Sequence, residues 1–498
     1  YQNGAVIHGN GHKITGSDYM TDSAGGGGLI VLDKVSGDGL SLDGVDVSGF
    51  HNTSSDDDAS GTGVIYVKDS NMGTIDGKFS DNSVISSYGT IGSVVSNAGG
   101  KIAGITDSVF EGNSVAENSS EKDEVTSRGG AVYNGASDDN AGVIGDITGS
   151  TFKNNSVTSE NNGAGGGAIY NSADSSIGNI AADFSGNKVI SNANVDKDRF
   201  VANGGAIYNN ASSIGNISGN FTQNSVEATQ SGSAGGGAIL NRDGAEIKDV
   251  SGTFSGNTAT GSGAYGGAIL SAGSSTEDSK IGNITADFTQ NEAVGTEGAY
   301  GGAIDNEAKS TIGTISGKFD GNAAVSEKES LGGAIYNGGT ITNIENATFT
   351  DNKAEATTEG GQALGGAIYT ETDLTISANN GDSLFSGNVT YVNGESFSNA
   401  VYVGNQDAIL SLNAKNGNIT FDDGIYGSKG YQVQIGGDAT GSVNLNEQIG
   451  NAGEISVDDG VTVNFGEKVT VDTDLNVNNG TVNDASICLL YTSDAADE

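Results

Sequence analysis

Four kinds of side chain in this sequence could do chemistry, and their spacing decides which kind. Acidic residues cluster at Asp56-Asp57-Asp58, Asp138-Asp139, Asp196 and Asp198, Asp422-Asp423 and Asp458-Asp459. Such clusters can hold Ca²⁺, or supply the paired carboxylates that cleave a polysaccharide. Neighbouring residues on a strand point to opposite faces, and these clusters sit in turn-like contexts, so they read as solvated turns. His8 and His12 stand four apart, a metal-clasping distance on a helix, but Gly9-Asn10-Gly11 between them spells a turn. Ser383, in Gly381-Asp-Ser-Leu384, could act as a nucleophile if a histidine accepted its proton. The histidines are His8, His12 and His51, all far upstream. A recurring tyrosine, Tyr133, Tyr170, Tyr208, Tyr336 and Tyr369, offers rigid area and a hydroxyl to a binding partner. No catalytic residue, metal or cofactor is expected, and the chain reads as a protein that is not an enzyme.

Those tyrosines belong to a motif that occurs eight times. The copies begin Gly129-Gly-Ala-Val-Tyr-Asn134, Gly166-Gly-Ala-Ile-Tyr-Asn171, Gly204-Gly-Ala-Ile-Tyr-Asn209 and Gly236-Gly-Ala-Ile-Leu-Asn241. They continue Gly266-Gly-Ala-Ile-Leu-Ser271, Gly301-Gly-Ala-Ile-Asp-Asn306, Gly332-Gly-Ala-Ile-Tyr-Asn337 and Gly365-Gly-Ala-Ile-Tyr-Thr370. A second motif, Phe-x-x-Asn, alternates with it, as in Phe184/Asn187, Phe221/Asn224, Phe254/Asn257, Phe288/Asn291 and Phe319/Asn322. In Ile217-Ser-Gly-Asn-Phe221 the first, third and fifth positions are apolar or small and the others polar, which is the period of a strand. Helix is excluded by this period and by 82 Gly, each costing about 1 kcal/mol relative to Ala in a helix. Ile105 to Phe110, Ile147 to Phe152 and Ile344 to Phe349 carry one extra residue, so bulges are expected there.

The expected fold is all-β, a right-handed parallel β-helix forming one elongated rod. Stacked copies place Ile169, Ile207, Ile239, Ile269, Ile304, Ile335 and Ile368 in one inward column and the Phe residues in another. The Asn residues form a third, their buried amides pairing from coil to coil. The fifth motif position varies among Tyr, Leu240, Leu270 and Asp305. A position that accepts Asp beside Tyr is expected to face solvent, with Tyr208 exposed. Variable stretches such as Glu117 to Arg128 and Ser191 to Asn203 are expected to be projecting loops. The expected division is degenerate coils over 1–128, regular coils over 129–403 and a different β-helical section over 404–487. Residues 488–498, with the one cysteine of the chain, match nothing before them; they resemble a translated sequencing adapter and are expected to have no packing role. The chain begins at Tyr1 without an initiator Met and is expected to be cut at both ends.

A net charge of -42 repels phosphate backbones and anionic lipid, so nucleic acid is not an expected partner. No apolar run approaches the roughly 18 to 20 residues of a membrane-spanning helix.

Gly-Gly-Ala-(Ile/Leu/Val) and Phe-x-x-Asn, alternating through about residues 60–405, resemble the repeat of chlamydial-type polymorphic outer-membrane proteins and related autotransporter adhesins. The resemblance implies a type V secretion passenger, exported to the cell surface and joined to the membrane through a C-terminal β-barrel that this sequence lacks. It implies adhesion or self-association as the role, with a protein or glycan on a host or bacterial surface as partner. Two other readings stand beside it, a polysaccharide lyase or hydrolase and a purely structural stalk. Near-interchangeable coils and the absence of Trp favour the adhesin.

Overall fold

Short strand-period segments joined by Gly and Asn corners can bury their apolar face only by winding and stacking. The computed structural model describes residues 4–484 except 17, 22–27, 38, 55–60, 87–89, 119–126, 139, 173, 197–198, 439, 459, 468, 470, 472 and 479. Over the described residues it is a solenoid of parallel strands without a helix. Three sheets of 27, 21 and 13 strands run along the rod. The 13-stranded sheet gains one strand per coil from Ile30–Asp33 to Ile425–Gly427, and bridges at Ile449 and Val471 carry it further. At about 4.8 Å per coil the rod is roughly 70 Å long.

One coil shows the plan. Ile207–Asn210 lies in the 13-stranded sheet, Ser213–Ile214 and Ile217–Thr222 in the 27-stranded sheet, and Ser225–Ala228 and Ser233–Gly235 in the 21-stranded sheet. The first three enclose a tube. The last two leave the tube and return to it as a two-layered fin.

The Gly-Gly pair closes the tube. Gly204 has φ +57°, a conformation that side chains disfavour. At Gly205 a Cβ would fall 2.0 Å from the Gly237 carbonyl oxygen and 2.7 Å from the Ser225 nitrogen, so the chain entering the tube touches the chain leaving it. Only glycine permits that approach.

Inside the tube, Ile169, Ile207, Ile239, Ile269, Ile304, Ile335 and Ile368 are fully buried and paired in register. The Phe column runs from Phe79 to Phe421 with neighbouring rings 4.4 to 5.3 Å apart and within 17° of parallel. Each ring is buried on both faces by the next. Where the strand carries an extra residue the register shifts against a neighbouring coil that lacks it, and that residue takes positive φ: Asp107 at 47°, Gly149 at 61° and Asn346 at 51°. The bulges expected from the sequence are there.

The fin corrects the expectation of plain projecting loops. The chain between Ser191 and Asn203 ends in a strand, Phe200–Asn203, that stacks on Ala164–Gly165 and on Ser233–Gly235. Val157, Val189 and Val226 from outgoing strands pack with Ala164, Ala202 and Ala234 from returning ones, a second core separate from the tube. The fin ends at an antiparallel hairpin, Val389–Val392 with Glu395–Ser398, turned by Asn393 and Gly394 at positive φ. Residues 488–498 lie outside the described residues.

Candidate functional site

The motif residues that dominate the sequence point into the rod. Asn224 shows how a buried amide is satisfied. Its Nδ2 donates to Asn257 Oδ1 (3.0 Å) and to the Phe184 carbonyl (3.1 Å). Its Oδ1 accepts the backbone N–H (3.1 Å) and the Nδ2 (2.9 Å) of Asn187. The pattern continues through Asn257, Asn291 and Asn322, so the column holds buried polar atoms at no desolvation deficit. It ends on Asp423, whose carboxylate accepts the Asn388 backbone N–H and Nδ2, both at 2.8 Å, and the Gly387 N–H at 3.0 Å. A carboxylate has no N–H to pass on. Burial pushes the Asp423 carboxyl up against the opposing pull of these bonds.

The tyrosine stripe lies elsewhere than expected. Tyr133, Tyr170, Tyr208, Tyr336 and Tyr369 do point away from the tube, opposite to their Ile and Asn neighbours, yet each is at most 9% exposed. They fill the inner corner between the 13-stranded sheet and the fin. A Cβ at Gly165, on the fin, would fall 2.4 Å from the Tyr208 ring. Arg128 covers Tyr170 with its guanidinium 5.4 Å from the ring centroid. Where the motif loses its tyrosine at Leu240, Leu270 and Asp305, the fin supplies rings instead: Phe200 packs tilted on Tyr265 at 4.8 Å and Tyr265 stacks on Tyr300 at 4.9 Å. The exchange of bulk across the corner is the signal that could have revealed it. Tyr208 is therefore not an exposed contact residue, and burial holds its hydroxyl protonated. Asp305 is also buried, which overturns the inference that a position accepting Asp must face solvent.

The remaining candidates do not assemble into a reacting centre. Ser383 is buried, donates to the Ser377 carbonyl (2.8 Å) and accepts the Ala347 N–H (3.2 Å). His51, the nearest histidine along the rod, lies ten coils or roughly 50 Å away, where it is hydrogen-bonded to Ser83 Oγ at 2.7 Å. His8 Nδ1 lies 2.6 Å from Asp43 Oδ2 in an exposed pair, and His12 donates its backbone N–H to the Gly9 carbonyl across the expected turn. Asp422 is exposed, but Asp423 is the buried end of the Asn column rather than a solvated turn. Asp56, Asp57, Asp58, Asp139, Asp198 and Asp459 lie outside the described residues. Among the described residues no three His, Cys, Asp or Glu side chains converge as metal ligands.

What the rod presents outward is polar and changes from coil to coil. On the 27-stranded sheet the outer positions hold Asp183, Asn220, Thr253, Asp287 and Lys318 in register, all exposed. Adjacent members cross-link, Asn220 Nδ2 to Asp183 Oδ1 at 2.9 Å and Thr253 Oγ1 to Asn220 Oδ1 at 2.6 Å. The fin carries the charged pairs Lys188–Glu227 and Lys328–Glu297 on its surface.

A family model described as the Chlamydia polymorphic membrane protein (Chlamydia_PMP) repeat matches residues 346–371. That segment is one coil's worth of motif, with Phe349, Asn352 and Gly365-Gly-Ala-Ile368 in it. The repeat is similar to that family's repeat. No curated protein and no solved structure matches the chain.

Proposed function

We propose that this rod is an exported, surface-displayed passenger that acts in adhesion or in self-association of cells, through the outward faces of its coils and fin. The observation that supports it is the division of labour within each repeat. The shared residues Gly-Gly, Ile, Phe and Asn are spent on closing and stacking the coil, while the outward positions vary between copies in charge and hydrogen-bonding character. A surface of that kind binds by many weak, recurring contacts whose effects combine. The family whose repeat matches is suggestive of a cell-surface setting. The partner in this reading is a protein or glycan on another cell, or a second rod; the membrane is reached through a β-barrel not contained in this sequence.

The test is to display residues 1–487 on cells, measure adhesion and aggregation, and assay the purified segment on acidic and neutral polysaccharides. Adhesion that declines in steps as coils are removed, without cleavage, supports the proposal. Reproducible cleavage abolished by one Asp or Glu substitution in a folded rod contradicts it, since loss of one catalytic carboxylate commonly costs a factor of hundreds or more.

A further inference from the structure

Two columns that run unbroken through the neighbouring coils fail together at one junction. The apolar corner of the fin forms one cluster from Tyr133 to Leu270 and another around Leu331, Tyr336 and Tyr369, and Asp305 stands between them. In the same step a second Asn column, formed by the last position of the Gly-Gly-Ala motif and running Asn209 to Asn241 and Asn306 to Asn337, is broken by Ser271, and Asn306 Oδ1 has no hydrogen-bond partner. Asp305 itself is fully buried, and neither carboxyl oxygen has a partner.

The groups that face it offer no counter-charge. Glu307 follows it on its own segment and Glu371 approaches from the coils beyond. From the next coil comes the Tyr336 hydroxyl, which donates to Glu371 Oε1 at 3.2 Å; from the fin comes Tyr300, which donates to Glu329 Oε2 at 2.6 Å. Leu270 pairs with it from the preceding coil. Lys309, four residues on, is held by the Ser275 carbonyl. These carboxylates do not converge as a metal's ligands would, which leaves a proton as the group that neutralises Asp305.

We propose that Asp305 makes the junction between the 266–271 and 301–306 segments a proton-gated joint, closed while its carboxyl is protonated and opening locally as the proton is lost. An unpaired carboxylate is among the costliest groups to bury. Burial first, then Glu307 and Glu371, push the Asp305 carboxyl well above the usual carboxylate range. The sign follows: below about pH 4 closed and open forms are both protonated. Above it the open form releases a proton that the closed form keeps, so protection of the joint falls as pH rises, until the closed form also ionises.

Hydrogen exchange of the whole rod tests this, with protection factors corrected for intrinsic exchange between pH 4.5 and 8. Protection at the Ile304–Asn306 amides is expected to fall by up to about tenfold per pH unit, the slope of one proton, while Ile207–Asn209 stays level. Asp305→Asn flattens the slope, and Asp305→Leu, matching Leu240 and Leu270, flattens it and raises protection at neutral pH. A wild-type profile without slope overturns the proposal. So does an unchanged slope in both variants, which assigns the effect to Glu307 and Glu371. Protection restored by added Ca²⁺ at pH 8 also overturns it, by showing a cation site in place of a proton.

Discussion

The finned coils up to about residue 399 and the smaller coils after it build the same rod by different means. In the finned part successive strands of the 13-stranded sheet are separated by as many as 38 residues, Ile169 to Ile207, whereas Val401 to Ile425 is 24 and the bridge that carries the sheet on, Ile449 to Val471, is 22. Among the described residues the shorter coils have no Gly-Gly neck and no fin. Their core is mainly an aliphatic stack, Val433 on Ile455 and Val443 on Val463, with Tyr431 and Phe465 buried in it. The Phe and Asn columns stop at Phe421 and Asp423, one coil beyond the hairpin that ends the fin. The difference shows what the motifs are for. A solenoid can rise without them, but a fin needs a corner where two backbone segments touch and a side chain that satisfies the polar atoms exposed at that exit.

The comparison can be broken at several points. Phe254→Ala removes a ring stacked on both faces and should cost about 3 to 5 kcal/mol, against about 2 kcal/mol for Val443→Ala in the finless part. Equal losses in denaturant unfolding would mean that the Phe column adds nothing special. Asn257→Asp removes two donors from the middle of the ladder and buries a charge, at about 3 kcal/mol near neutral pH. Asp423→Asn should cost less than about 1 kcal/mol there and should flatten the pH dependence. The sign is set by the raised Asp423 carboxyl: the fold favours its protonated form, so wild-type stability at this end declines as pH rises above the ordinary carboxylate value. A steeper pH profile in Asp423→Asn would contradict the role assigned to it. Gly205→Ala, which brings a Cβ against the backbone of Gly237 and Ser225, should destabilise by about 2 kcal/mol or more, whereas Gly436→Ala, next to only the Asn413 side chain, should cost under about 1 kcal/mol. Deleting residues 488–498 should leave the melting temperature unchanged; a clear drop would show that this run packs.

The tube was legible because its signals repeat. Ile207, Phe221 and Asn224 sit at fixed intervals on a two-residue period, and in a strand that period fixes the face. The fin was not legible, because its segments change length from copy to copy and its core is a few Val or Ala side chains per coil, too little to give a period of its own. The tyrosine corner misled for a related reason. Away from the tube means toward solvent in a single-layered coil, but not where a second layer folds back over the sheet. Asp305 strengthened the error, since a buried unpaired acid is the rarest reading of a polar residue. Gly165 and Gly235 beside large rings, and Tyr265 and Tyr300 beside Leu270 and Asp305, held the correction in the sequence, but only as a covariation between positions that the period does not connect.

The central claim is that the motif residues, their varying fifth position included, are interior and that the outer positions of the 27-stranded sheet are surface, and thiol labelling tests it most directly. In a chain ending at residue 487, and so without Cys488, single cysteines at Tyr208 and at Thr253 report the corner and the outer face of the 27-stranded sheet. The account predicts that Thr253→Cys reacts at the rate of an exposed thiol and that Tyr208→Cys is protected by at least about a hundredfold until the rod is unfolded, the protection of a site reached only through local opening. Tyr208→Cys reacting as fast as Thr253→Cys in the folded rod would place the tyrosines on the surface and contradict it.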